Sequence, residues 1–170
     1  MSENLPRDIF MGKKLAVSWV TFACCEDSSI LFVELLNEHF FEWKEKLDFR
    51  YCRLLKNKGN SFDGSDVTFV EGAIATKEDE EELKMIREKS KRLVAIGSCA
   101  CTGLPSAQRN TFDDSTRREI MLIVERFGHL EKVHPIKDIV KVDYQVPGCP
   151  MDEKIFLDTL SKLLAEFEVK

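Results

Sequence analysis

Two cysteines stand side by side in "TFACCEDSS", residues 21–29, where an apolar run gives way to acidic and hydroxyl residues. Cys99 in "AIGSCACTG" and Cys149 in "VPGCP" likewise follow β-prone runs. Thiolates are ligands for soft metal centres, and four converging on one place could hold a tetrahedral zinc ion or an iron-sulfur cluster. Structural zinc commonly uses paired C-x-x-C knuckles, whereas this set is one adjacent pair, Cys24 and Cys25, and two distant singles. A cluster fits that spacing better. Adjacent residues in an extended segment point to opposite faces, so both members of the pair reach one site only where the backbone turns sharply between Ala23 and Glu26. Gly97 and Gly148 lie beside the other two thiols, where backbone packed against an inorganic group favours residues without a Cβ. Pro147 and Pro150 stiffen the last corner. Cys52, inside a β-prone run, reads as a small buried residue.

The elements that must position these residues alternate. "KLAVSWV" (14–20) reads as a strand, and "SSILFVELLNEHFFEWKEKL" then repeats apolar residues at helical spacing. "LDFRYCRLL" is a second strand, "KNKGNSFDGS" a turn-rich stretch, and "DVTFVEGAI" a third strand that ends at Glu71-Gly72. "TKEDEEELKMIREKSK" opens a helix with Thr76 as N-cap and acidic residues in its first turn, which complements the helix dipole. "RLVAIGSCACTGLP" is a fourth strand running into a loop that carries Cys99 and Cys101. "STRREIMLIVERFG" is a helix ended by Gly128, and the chain closes with an extended segment, the Pro-Gly-Cys-Pro corner and a C-terminal helix. Alternating strands and helices predict an α/β fold with a doubly wound, mostly parallel sheet and helices on both faces. In such a sheet the carboxyl ends of the strands share one edge, where ligands bind, and all four thiols fall there.

With 170 residues, 44% of them hydrophobic and 32% charged, and a formal net charge of −5, the composition is that of a globular protein, without the basic field that nucleic acid would require. No run approaches the roughly 18–20 apolar residues of a membrane span. The opening residues lack the order of a signal peptide, so a cytoplasmic location is expected. There six cysteines serve as ligands, reactive thiols or buried apolar residues sooner than as a disulfide framework. No repeat or composition break divides the chain, so residues 1–170 read as one domain, with 1–12 as a flexible N-terminal arm.

"ACC" at 23–25, "VEGAI" at 70–74, "AIGSCACTGLPSAQRN" at 95–110 and "VPGCP" at 146–150 resemble, in order and spacing, the small subunits of NiFe hydrogenases and the 20 kDa subunit of respiratory complex I, one superfamily. The resemblance spans about residues 14–165. It implies a flavodoxin-like domain carrying one 4Fe-4S cluster, with Cys99 and Cys149 as downstream ligands. Most hydrogenase small subunits have C-x-x-C at the first position, but here the earlier member would fall on Phe22. The complex I relatives use adjacent cysteines, as Cys24-Cys25 does, while "TGLPSAQRN" looks more like cytoplasmic hydrogenases. Cys101 is the alternative fourth ligand in place of Cys24. The implied partners are a NiFe hydrogenase large subunit, which holds the NiFe centre, and further flavin or iron-sulfur subunits. Neither nucleic acid binding nor direct membrane insertion is implied. A complex I-like module of a quinone-linked or membrane oxidoreductase, and a flavodoxin-like binding domain without a cluster, are the other readings. Glu71 is expected to bond loop amides beside the cofactor, and Glu26 and Asp27 to cap the following helix; a proton-transfer or interface role is the functional alternative. His129 and His134 read as surface or packing residues.

Overall fold

The computed structural model describes residues 12–55 and 61–170. The arm expected over residues 1–12 lies, apart from Gly12, outside them. So does the first half of the turn-rich stretch. In chain order the elements are β1 (Leu15–Thr21), α1 (Asp27–Glu38), α2 (Phe40–Lys46), β2 (Leu47–Cys52), β3 (Ser65–Glu71), β4 (Ile74–Thr76), α3 (Lys77–Glu88), β5 (Ser90–Ile96), α4 (Gly97–Thr102), α5 (Asp114–Arg126), β6 (His129–His134), β7 (Tyr144–Val146) and α6 (Glu153–Glu166). Single 3-10 turns span Ser106–Thr111 and Ile136–Asp138.

Five strands form a parallel sheet in the order β2-β1-β3-β5-β7. Counting only those strands, the order is 2-1-3-4-5, the flavodoxin-like arrangement, whose switch point lies between β1 and β3. The period of two along each strand sorts the core into two layers. Val17 and Trp19 of β1, Val67 and Phe69 of β3, and Val94 and Ile96 of β5 face α1, α2 and α6, meeting Phe32, Leu35, Trp43, Phe156 and Leu163. Val20, Val70, Leu93 and Ala95 face the opposite way, onto Leu83 and Ile86 of α3 and Ala100 of α4. On the first face Trp19 stacks on Phe32 with ring centroids 4.3 Å apart. Phe156 meets Phe69 at 5.5 Å and Phe32 at 6.1 Å.

Four local features differ from the sequence expectation. The first helical run is two helices, broken at His39, whose N–H still bonds Leu35 O at 2.9 Å. In a continuous helix Phe32 and Trp43 would share a face but sit about 16 Å apart along the axis. The break brings their rings to 6.3 Å, and both are buried. Second, Cys99 and Cys101 ride on the short helix α4, which starts directly after β5, not on a loop. Third, β4 and β6 form a separate antiparallel pair, which places His129 and His134 on a strand. Fourth, the extended segment before the last corner is regular only over β7. Thr76 caps α3 as expected, in a reciprocal box with Asp79. Gly128 follows the end of α5 with φ of 67°.

The short β7 is anchored just before it begins. Asp143 accepts from Leu93 N of β5 at 2.9 Å and from Arg87 Nη1 of α3 at 3.0 Å, with its carboxylate largely buried. Replacing Asp143 with Ala leaves both donors without that acceptor, so it should cost about 2 kcal/mol of folding stability. Urea unfolding checks this, with a lower midpoint and an unchanged slope as the expected outcome.

Candidate functional site

β1, β3, β5 and β7 all end at one edge, and the segments leaving them close around a small cleft with a cavity volume of only about 10 Å³. Cys24, Cys25, Cys99 and Cys149 line it together with Glu71, Ser28, Gly97 and Gly148. Cys99 is buried, Cys24 half-buried, and Cys25 and Cys149 are exposed. Three segments far apart in sequence thus bring four thiols to a single opening. The other two cysteines lie elsewhere. Cys52 is buried against the α1 face of the sheet, and Cys101 is buried on the opposite face, its thiol 3.6 Å from Ala95 O. Being two residues apart on the short α4 turns Cys99 and Cys101 to different sides, so the alternative in which Cys101 substitutes for Cys24 finds no geometric support.

The adjacent pair is presented by a close crossing. Gly72 has φ of 96°, and a Cβ there would stand 2.7 Å from the carbonyl carbon of Phe22. With no Cβ, the chain beyond β1 approaches closely enough for Ala23 and Ala73 to exchange backbone hydrogen bonds of 3.1 and 3.0 Å. The backbone then bends through Cys24 and Cys25 to Glu26, which adopts the left-handed conformation at φ of 63°. That is the sharp turn the pair requires.

Glu26 makes no side-chain cap to α1, contrary to expectation, and Asp27 is already the first helical residue. Glu71 does the capping from the end of β3. Only 3% exposed, it accepts from Ser28 N at 3.1 Å through Oε1 and from Ser29 Oγ at 2.6 Å through Oε2. Ser29 Oγ in turn accepts from Trp19 Nε1 at 2.8 Å. Glu71 was expected to bond loop amides; it instead takes one amide and one hydroxyl from the first turn of α1, and both of its oxygens are engaged by the protein. Ser28 Oγ also accepts from Met151 N at 3.2 Å, and Ser98 N donates to Gly148 O at 2.6 Å. These contacts tie the first thiol corner to the third and the second to the third. The serines were not singled out from the sequence; the pair "SS" directly before a helical run was the available sign, since hydroxyl residues favour helix starts.

Both glycines are also demanded by the protein itself. A Cβ on Gly97 would lie 2.9 Å from Ser28 Oγ, and one on Gly148 would lie 2.5 Å from Pro150 O; both residues have positive φ. Protein atoms at the corners exclude the side chain.

Burial and then the carboxylate of Glu71 push the Cys24 thiol up to about 12, with Cys99 and Glu26 adding to the rise and the Glu26 amide opposing it. The Cys149 thiol is also raised, by desolvation and by Cys25, Cys99, Asp27 and Glu71. Without a bound cation these two thiols keep their protons. Thiolate ligation would then release protons as a metal group is loaded. Among the described residues no three His, Cys, Asp or Glu side chains gather tightly enough for a single metal ion. Tetrahedral zinc needs sulfurs roughly 3.8 Å apart, given Zn–S bonds of about 2.3 Å. Four sulfur donors lining one opening are of the ligand type that iron-sulfur groups use.

A flavodoxin-like sheet with four thiols at its carboxyl edge defines an α/β thiol-bearing domain, and comparison with known proteins gives its family. Residues 25–163 match the family described as "NADH ubiquinone oxidoreductase, 20 Kd subunit", and the chain belongs to that family. It is 32% identical over 166 residues to a subunit of the vhu F420-non-reducing hydrogenase of Methanocaldococcus jannaschii, covering 91% of this chain and 57% of that protein. It is 31% identical over 114 residues to the delta subunit of the NAD-reducing hydrogenase HoxS of Cupriavidus necator, covering 58% and 54%. The chain thus spans about half the length of the curated relatives it matches. A solved structure of an NAD+-reducing [NiFe]-hydrogenase superposes with a TM-score of 0.75 and 28% identity, over 91% of this chain and 93% of that one. Among the described residues no helix is long and apolar enough to cross a membrane.

Substituting Glu71 with Ala should destabilise the fold by about 2–3 kcal/mol, because Ser28 N and Ser29 Oγ lose a buried charged acceptor. Gln, which keeps one carbonyl oxygen for Ser28 N, should cost less. Thermal or urea unfolding of the metal-free chain tests the order Ala below Gln below native.

Proposed function

We propose that the chain is the electron-transfer small subunit of a NiFe hydrogenase, holding one 4Fe-4S cluster on Cys24, Cys25, Cys99 and Cys149. The observation that carries this reading is the meeting of four cysteines from three corners at the carboxyl edge of the sheet, while Cys52 and Cys101 remain in the core. Membership of the family and the likeness to hydrogenase subunits support it. When bound, such a group takes up and releases one electron at a time. The chain's own part is to fix its position, with Glu71 and Ser28 holding the first and last corners, and to bury the Cys99 side. Cys25 and Cys149 are exposed, so the opening faces outward, where a large subunit carrying the NiFe centre would dock. Electrons would pass between that centre and a partner bearing flavin or further clusters, within a soluble cytoplasmic complex. The chain alone would not turn over hydrogen.

The test is anaerobic purification of the tagged chain with its partners, followed by assay of iron, sulfide and nickel. About four iron and four sulfide per chain are expected from this subunit, with nickel and hydrogen-dependent dye reduction in the complex. A complex with the cluster but without nickel or hydrogen-dependent activity would transfer the assignment to a complex I-like module. Serine at Cys24, Cys25, Cys99 or Cys149 should lower the iron content or alter the cluster's EPR spectrum, because hydroxyl is a poor substitute for thiolate. Serine at Cys52 or Cys101 should leave both close to native. A full, unaltered cluster in the Cys149→Ser chain would sink the ligand set.

A further inference from the structure

The 3-10 turn after α4 begins with Ser106, whose hydroxyl stands between two acceptors. Ala23 O lies 2.9 Å from Ser106 Oγ, and Cys99 Sγ lies 3.3 Å away. A hydroxyl carries one proton, so one of these contacts must be the principal bond. Ala23 O already accepts from Ala73 N at 3.0 Å in the crossing over Gly72. It does not depend on Ser106. Cys99 differs from Ala23 in this respect, because a metal-bound thiolate has no proton to give and can only accept. In the unligated chain the thiol S–H can point at Ser106 Oγ while Ser106 donates to Ala23 O; once the sulfur is ligated, that arrangement would set lone pairs against each other. Turning the hydroxyl toward sulfur removes the clash and leaves Ala23 O with its backbone donor.

We propose that Ser106 is a positioning and tuning residue for the bound cluster, its Oγ–H donating to the Cys99 sulfur and raising the cluster's reduction potential. This rests on the ligand assignment of the preceding subsection. The hydrogen bond draws negative charge off the sulfur, which matters most when an electron is added, so the reduced state is stabilised more than the oxidised one. Cys99 is 7% exposed, the most buried of the four, so water competes least for its sulfur. In a poorly solvated setting the hydrogen bond keeps more of its electrostatic strength. Among the described residues no other side-chain hydroxyl donates to a sulfur of the four. The same residue also ties the Cys99 corner to the Cys24 corner through Ala23, which is why the test must separate charge from shape.

Ser106→Thr and Ser106→Val make that separation, since the two side chains have nearly the same shape and only Thr keeps the hydroxyl. The native complex and both variants are purified anaerobically, assayed for iron and sulfide, and titrated under EPR observation. Native and Ser106→Thr should share one midpoint potential. Ser106→Val, with iron and sulfide unchanged, should titrate lower, its reduced-to-oxidised ratio at a fixed poise falling between two- and tenfold; tenfold corresponds to 59 mV for one electron. Thr and Val variants with the same midpoint overturn the proposal while leaving the ligand set intact. A native complex with no iron or sulfide overturns both. A Val variant that loses its cluster while the Thr variant keeps a full one supports a requirement for the hydroxyl at Cys99, and loss of the cluster in both refutes the hydroxyl's role in favour of shape alone.

Discussion

A carboxylate taken out of water must be met by donors, and the way Glu71 is met sets the geometry of the whole thiol edge. Its side chain leaves the end of the central strand β3 and reaches the first turn of α1, where Ser28 N–H and Ser29 O–H satisfy it. Those donors need partners of their own, because the first amides of a helix have no partners within it. The negative charge lies at the positive end of the helix dipole. Helix start and carboxylate therefore each resolve the other's deficit. With α1 pinned there, the Cys24-Cys25 bend that precedes it has little freedom, and Ser28 Oγ is placed to receive Met151 N just beyond Cys149. One buried acid thus fixes two of the three corners, and Ser98 N to Gly148 O joins the remaining one.

Much of this architecture was legible from residue patterns. The alternating core strands, the caps of α3 and the late helices follow from local chemistry that acts over a few residues. The thiol edge followed from topology, because parallel strands present their carboxyl ends together wherever the crossovers lie. What escaped were features decided by distant partners. The break at His39 exists because Phe32 and Trp43 must both enter one aromatic cluster, a demand set by Trp19 and Phe156. The pairing of β4 with β6 joins short segments on either side of three helices. Gly97 and Gly148 were recognised as special, but their crowding comes from Ser28 and from the last turn itself. Capping by Glu71 was half visible: the acid and its loop role could be read, while the recipient helix lay over forty residues earlier.

The electrostatics of the edge set a condition on how it can be filled. Glu26, Asp27 and Glu71 surround thiols that are already partly desolvated, and for Cys24 both effects favour the protonated form. Four thiolates placed there without compensation would add charge to a negative surround. A multivalent cationic core reverses the balance, since each sulfur gains a metal bond as it loses its proton. With a cluster on the proposed ligands, the acidic lining would hold down the affinity for electrons, because negative charge near a cluster disfavours the reduced state. Hydrogen bonds to sulfur act in the opposite sense. On the proposed function, the potential would be a contest between the carboxylates and the donors.

The thiol edge is shaped by a dense set of bonds within the protein. The bonds that shape the corners run between protein atoms: Ala23 to Ala73, Glu71 to Ser28 and Ser29, Ser28 to Met151, and Ser98 to Gly148. The glycines are demanded by neighbouring protein atoms. A corner assembled this way takes its shape from bonds between protein atoms. This contrasts with small zinc domains, in which metal binding supplies the folding energy. In the present chain two aromatic and aliphatic layers on either face of the sheet supply that energy, and the edge is left free to specify chemistry.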